Sequence, residues 1–148
     1  MKKEIIQTWH FPHPPEVIWE YLTTPELLAQ WLMKNDFKAE VGHKFQFNAE
    51  PRVKVGFDGI IYCEVLKIIP NQFLSYSWKG GPGKGKITLD SVVSWTLTAK
   101  DGGTELLLEH KGFKGVGNFI TYLIMNKGWA VKVKGRLTDL LKTIDHEA

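Results

Sequence analysis

Residues 91–110 read SVVSWTLTAKDGGTELLLEH, and Val93, Trp95 and Leu97 alternate there with Val92, Ser94 and Thr96 before the same period returns in Leu106, Leu108 and His110. A period of two puts each set on one face of a strand. The Asp101-Gly102-Gly103 signal between the two runs is that of a tight antiparallel turn.

The same period extends outward over about residues 36 to 111. Phe45 and Phe47 share one face. Val53, Val55, Phe57, Ile61, Cys63 and Val65 form another such set, and Leu74, Tyr76 and Trp78 a third. Turn signals fall at Pro70-Asn71 and in the glycine-rich run from Gly80 to Gly85. This is the pattern of an antiparallel meander rather than of βαβ units. Before it, residues 4–11 read as a strand with Ile5, Trp9 and Phe11 in alternation, ended by Pro12. Two short helices follow. Pro15 suits a first helical turn ahead of Val17, Ile18, Tyr21 and Leu22, and Thr24 is an N-cap before Pro25, Glu26 and the apolar Leu27, Leu28 and Trp31. After Gly115 and Gly117, Asn118 caps a helix predicted to run to about Asp145. Its stripe is Ile120, Leu123, Ala130, Leu137, Leu141 and Ile144, widened by Trp129, Val133 and Leu140, with a bend expected near Gly128.

Strand, two short helices, many antiparallel strands and one long helix give an α+β class. The expectation is a single domain over residues 1–148, its curved sheet of about six to seven strands wrapped around the last helix. One helix does not fill the concavity of such a sheet, so a pocket is expected between them. Its predicted lining is Trp31, Phe45, Phe47, Phe57, Ile61, Cys63, Tyr76, Trp78, Val93, Trp95, Leu108, His110, Trp129 and Val133. A closed core and a pocket wall use the same residues, so both readings stand for the tryptophans Trp78, Trp95 and Trp129.

Composition narrows the function. A hydrophobic fraction of 43% with 24% charged residues over 148 residues predicts one well-formed core. The lone Cys63 cannot form an internal disulfide or a cysteine zinc site and suits a reducing compartment. Neither an apolar leader nor a run of about 20 apolar residues is present, so the expected location is cytoplasmic, without a membrane span. The net charge of +3 comes mostly from lysine, Arg52 and Arg136 being the only arginines, which is a weak basis for nucleic-acid binding. Lys127, Lys132, Lys134, Arg136 and Lys142 read as the solvated side of an amphipathic helix.

His110 shares the inward parity of Leu106 and Leu108, and Tyr76 and Cys63 point inward on other strands. These are the polar handles for orienting a ligand, with a hydrogen-bonded core histidine as the other reading of His110. His110 has no visible nucleophile, carboxylate partner or metal spacing, so no catalytic residue, cofactor or metal is assigned. His10 and His13 stand without an acidic or cysteine cluster, and Cys63 reads as a small buried hydrophobe. The run from Lys79 to Lys86 has glycines and lysines fit to cradle an anion, but a β-rich segment follows it where a phosphate loop needs a helix. It reads as a hairpin loop. Residues Phe119 to Met125 are apolar nearly all round; a dimer contact, a ligand or a membrane surface would cover the second side, and folding against the sheet rim is the preferred reading.

Pro15-Glu16-Val17-Ile18-Trp19, Leu22 through Trp31 and Val41-Gly42-His43-Lys44-Phe45 carry a family resemblance, continued by Gly59 through Val65 and Leu74 through Trp78. Gly103-Thr104-Glu105-Leu106, His110-Lys111-Gly112-Phe113 and Gly128-Trp129 complete it. Over nearly its whole length the chain resembles the helix-grip (START-like, SRPBCC) superfamily that includes birch-pollen-allergen and lipid-transfer domains. Within that superfamily it is similar to the activator-of-heat-shock-protein-90-ATPase homologue branch. The resemblance implies a cytoplasmic domain with an apolar tunnel between sheet and last helix, binding a small hydrophobic or aromatic ligand such as a lipid, flavonoid or polyketide, with a link to stress response. The alternative it implies is a chaperone partner, the domain modulating a chaperone ATPase by protein contact; a third is a cyclase- or hydrolase-type enzyme. The expected state is a monomer or weak homodimer.

Overall fold

The computed structural model describes residues 3–48, 59–81, 87, 89–113 and 115–147, with the backbone alone for residues 3, 115–121 and 145–147. In chain order these form β1 (Lys3–Phe11), α1 (Pro15–Thr23), α2 (Pro25–Trp31), β2 (Lys34–Asn35), β3 (Lys44–Asn48), β4 (Ile60–Ile69), β5 (Phe73–Gly80), β6 (Leu89–Lys100) and β7 (Gly103–Phe113). A helical run closes the chain: α3 (Gly115–Ala130), a π-helical segment (Val131–Leu137) and α4 (Thr138–Glu147). The seven strands make one antiparallel sheet in the order β1-β7-β6-β5-β4-β3-β2.

The turns follow their residues. Asp101 and Gly102 both take positive φ, 50° and 77°, so a two-residue turn joins Lys100 to Gly103 with the twist an antiparallel ribbon favours. Asn71, with φ 64°, supplies the left-handed residue between β4 and β5. Gly80 pairs with Leu89, so the glycine-rich run connects two paired strands, although residues 82–86 lie outside the described ones. Thr24 sits at the start of α2 but makes no side-chain cap; its N–H closes α1 on Glu20 O while its carbonyl accepts from Leu28 N. One residue ends the first helix and starts the second.

Gly103 is held to glycine by a close approach. A Cβ there would strike the Phe11 carbonyl oxygen and come within 3.0 Å of Pro12 Cα. Beside it, Thr104 Oγ1 donates to the His13 carbonyl at 2.7 Å and binds the start of β7 to the corner between β1 and α1. Gly103→Ala is therefore expected to cost about 1–3 kcal/mol of stability through overpacking. The urea midpoint reads this directly, and an unchanged midpoint would mean that the corner gives way freely.

Parity decides the inner face. Phe45, Phe47, Ile61, Cys63, Val65, Leu74, Tyr76, Trp78, Val93, Trp95, Leu97, Leu106, Leu108 and His110 are all buried, as the period-two reading predicts. The inner face of the last helical run follows most of the predicted stripe: among the described residues Trp129, Val133, Leu137 and Leu141 are buried, whereas Leu123 is 49% exposed. Four residues exceed an α-helical turn of 3.6, so a strict four-residue repeat would drift around an α-helix. The wider π turn holds more residues per turn and keeps Trp129, Val133 and Leu137 on one face. Near Gly128, where a bend or break is expected, the α-helix ends at Ala130 and a π segment begins at Val131, and the helix begins at Gly115, ahead of Asn118.

Candidate functional site

Every predicted lining residue except Phe57, which lies outside the described residues, falls in one contiguous core between the sheet and the last helical run. Trp31, brought in by α2, meets Trp95 of β6 edge to face at 6.0 Å, and its indole N–H donates to the Tyr21 carbonyl at 2.9 Å. Phe45, Phe47, Tyr76 and Trp78 continue the wall across β3 and β5 at centroid spacings of 5.4 to 6.1 Å. Trp129 closes it from the helix side, 5.1 Å from Trp78 and 5.4 Å from Trp95. Such offset and edge-to-face arrangements add to the apolar burial of the rings. Ile61, Val93, Leu108 and Val133 fill between them.

The polar groups of this interior have assignable protons. Trp129 Nε1, which can only donate, lies 3.0 Å from His110 Nδ1, so that nitrogen is an acceptor. His110 Nε2 then carries the ring proton and donates to Ser91 Oγ at 2.9 Å, while the Ser91 hydroxyl donates to the Trp78 carbonyl at 2.7 Å. Burial without an anionic partner lowers the His110 pKa from 6.5 to about 3, so the ring is neutral at physiological pH. Both nitrogens are committed to protein partners, which leaves no lone pair for general-base work in this arrangement. On the other side, Trp95 Nε1 donates to the Tyr76 hydroxyl at 2.9 Å. Burial raises the Tyr76 pKa, opposed by that indole bond and aided by Cys63, and burial with the Asp36 carboxylate raises the Cys63 thiol. The thiol is held protonated, as a small hydrophobe rather than a nucleophile.

One group is left over. Trp78 is 1% exposed, and its Nε1–H has no hydrogen-bond partner among the described residues. His10 Nε2, outside this interior, donates to the Lys100 carbonyl at 2.8 Å. Among the described residues no three metal-binding side chains cluster, and no helix is long and apolar enough to cross a membrane. Of the basic helix residues, Lys127, Lys134, Arg136 and Lys142 are exposed and Lys132 is half-buried.

Three members of the site escape the sequence reading. Ser91 was detectable, since it lies two residues before Val93 on the same inward parity. Phe113 was not, because β7 gains a residue where Glu4 pairs with Lys111 but Lys3 with Phe113. Gly112, with φ 115°, forms this bulge and turns Phe113 inward, 4.6 Å from His110. Phe37 comes from a loop without periodicity and packs on Phe45 at 5.0 Å.

With this geometry in view, comparison with known proteins is specific. No curated protein sequence matches the chain. Protein MLL2253 from Mesorhizobium loti is similar in sequence and structure, with 37% identity over 95% of this chain and 97% of that one and a TM-score of 0.82. DynU16, a protein of the dynemicin biosynthetic locus, shares 25% identity and a TM-score of 0.74 over 95% of this chain, which spans 48% of DynU16. The Aha1 dimer from Colwellia psychrerythraea has the same fold, with a TM-score of 0.71, 21% identity and coverage of 92% and 93%. The family model described as activator of Hsp90 ATPase homolog 1-like protein matches residues 12–142, from α1 through strands β2 to β7 and into α4, and the chain belongs to that family.

Proposed function

We propose that this protein binds a small apolar, ring-bearing ligand between the sheet and the last helical run, without carrying out chemistry on it. The observation that carries this reading is the continuous aromatic wall from Phe37 through Phe45, Phe47, Tyr76 and Trp78 to Trp129 and Trp95. Large, flat, polarisable surfaces facing one interior from sheet, loop and helix suit a flat apolar guest, which is bound by removing its surface from water at roughly 25 cal/mol per Å². The similarity to a protein of the dynemicin biosynthetic locus supports a small-molecule ligand. Trp78, Trp95 and Trp129 are the walls, and Tyr76 is the polar handle. His110 acts through Trp129, whose indole it holds in place.

Native mass spectrometry of freshly purified protein, followed by tryptophan-fluorescence titration with fatty acids, flavonoids and polyketides, tests this. The expected result is a co-purified small molecule or a saturable change with one of these classes at one-to-one stoichiometry. A protein that is empty and inert to all three classes, yet binds a chaperone in a salt-sensitive way, would overturn it in favour of a protein-contact role.

A further inference from the structure

Resting on that reading, we infer that the ligand presents a hydrogen-bond acceptor oxygen, such as a ring ketone, quinone or lactone carbonyl, to the indole N–H of Trp78. The interior is unbalanced in a definite sense. The indoles of Trp31, Trp95 and Trp129 each have an acceptor, and both nitrogens of His110 are used. The Trp78 Nε1–H has none, and the Tyr76 hydroxyl, which accepts from Trp95, keeps its own proton for donation. Trp78 and Tyr76 are two apart on β5 and so lie on the same face, and Phe47 touches both rings at 5.4 and 6.1 Å. What this wall lacks is an acceptor.

A buried donor without a partner forfeits its hydration, so whatever supplies an acceptor there gains more than burial alone. A trapped water is a poor substitute, since it needs two to four polar partners. Among the described residues the rings touching Trp78 are Phe47, which has no polar atom, and His110 and Trp129, whose nitrogens are already engaged. A guest with one carbonyl on a flat apolar skeleton satisfies the N–H and leaves none of its own donors stranded. A plain hydrocarbon leaves the N–H bare, and a guest whose only polar groups are donors meets a second donor.

Matched pairs test this: fluorene against 9-fluorenone, and indane against 1-indanone, titrated into the full chain and into Trp78→Phe. The wild type is expected to bind the ketone of a pair at least about tenfold more tightly than its hydrocarbon. Trp78→Phe should abolish that preference, the ketone and its hydrocarbon then binding within about twofold of each other. Should the variant fold poorly, the wild type alone decides, because the Trp78 indole proton resonance should move downfield with the ketone and not with the hydrocarbon. Equal binding of both members to the wild type, or a preference that survives in a folded Trp78→Phe, overturns the acceptor inference and leaves ligand binding intact. Binding of neither member of either pair, with no response at the Trp78 indole, overturns the inference together with the reading it rests on.

Discussion

Between pH 6.5 and pH 3 the protein will lose about 1.4 kcal/mol of stability per pH unit through His110 alone, and His110→Gln will remove that part of the slope. The folded ring has its pKa lowered from 6.5 to about 3 by burial. Within that window the unfolded chain therefore takes up a proton that the folded one refuses. Stability from this group is fully present above the unfolded value and is lost as pH falls toward the folded one. The geometry adds to the refusal that burial imposes. A second ring proton would sit on Nδ1 and face the Trp129 N–H at 3.0 Å, donor against donor. Glutamine offers one acceptor and one donor without titrating. Urea midpoints at pH 7 and pH 5 for both proteins isolate the effect, since other titrating groups contribute equally to each. Parallel slopes would show that His110 gains a proton in the folded state.

Replacing Trp129 with alanine will cost about 3–5 kcal/mol, in the range for a buried tryptophan whose cavity does not close. The indole is 1% exposed and, among the described residues, is the only ring from the helical run that meets Trp78, Trp95 and His110 together. Its loss opens the helix side of the wall and leaves His110 Nδ1 without its donor. Trp129→Phe separates the two effects. It keeps most of the ring, loses the N–H, and should cost about 1–3 kcal/mol. It should also raise the His110 pKa above about 3, because burial alone then opposes a proton on Nδ1. A double-mutant cycle with His110→Gln should show coupling, as expected for residues in direct contact. Strict additivity, or a His110 titration unmoved in Trp129→Phe, would break the link between the helix and the sheet described here.

The sheet was legible because period two is fixed by the pleat, and Asp101-Gly102 permits few alternatives to a tight turn. The inward set from Phe45 to His110 followed from that parity. Parity fails wherever the chain inserts a residue, and at Gly112 one extra residue reverses Phe113. The helix stripe was legible at Trp129, Val133, Leu137 and Leu141 and missed at Leu123, while the winding that aligns it was not legible. An α period was assumed across Val131–Leu137, but packing against the sheet selects Trp129, Val133 and Leu137 and winds the backbone to fit. The Ser91–His110–Trp129 chain was half legible, with His110 identified and both its partners on readable positions. The unpaired N–H of Trp78 was not, since a hydrogen bond that fails to form leaves no mark on residue pattern.

Six indole N–H resonances make the central claim directly observable in the unmodified protein. Trp31, Trp78, Trp95 and Trp129 lie within the wall, while Trp9 and Trp19 are only partly buried at its margin. The decisive measurement is an indole-region proton–nitrogen correlation spectrum recorded through a titration with the tightest-binding compound of the panel. Saturable shifts at Trp78, Trp95 and Trp129, with Trp9 and Trp19 unmoved, are the result predicted. Shifts confined to Trp9 and Trp19, or an unchanged spectrum at concentrations that saturate the fluorescence signal, would place binding outside the sheet–helix interior and contradict the account.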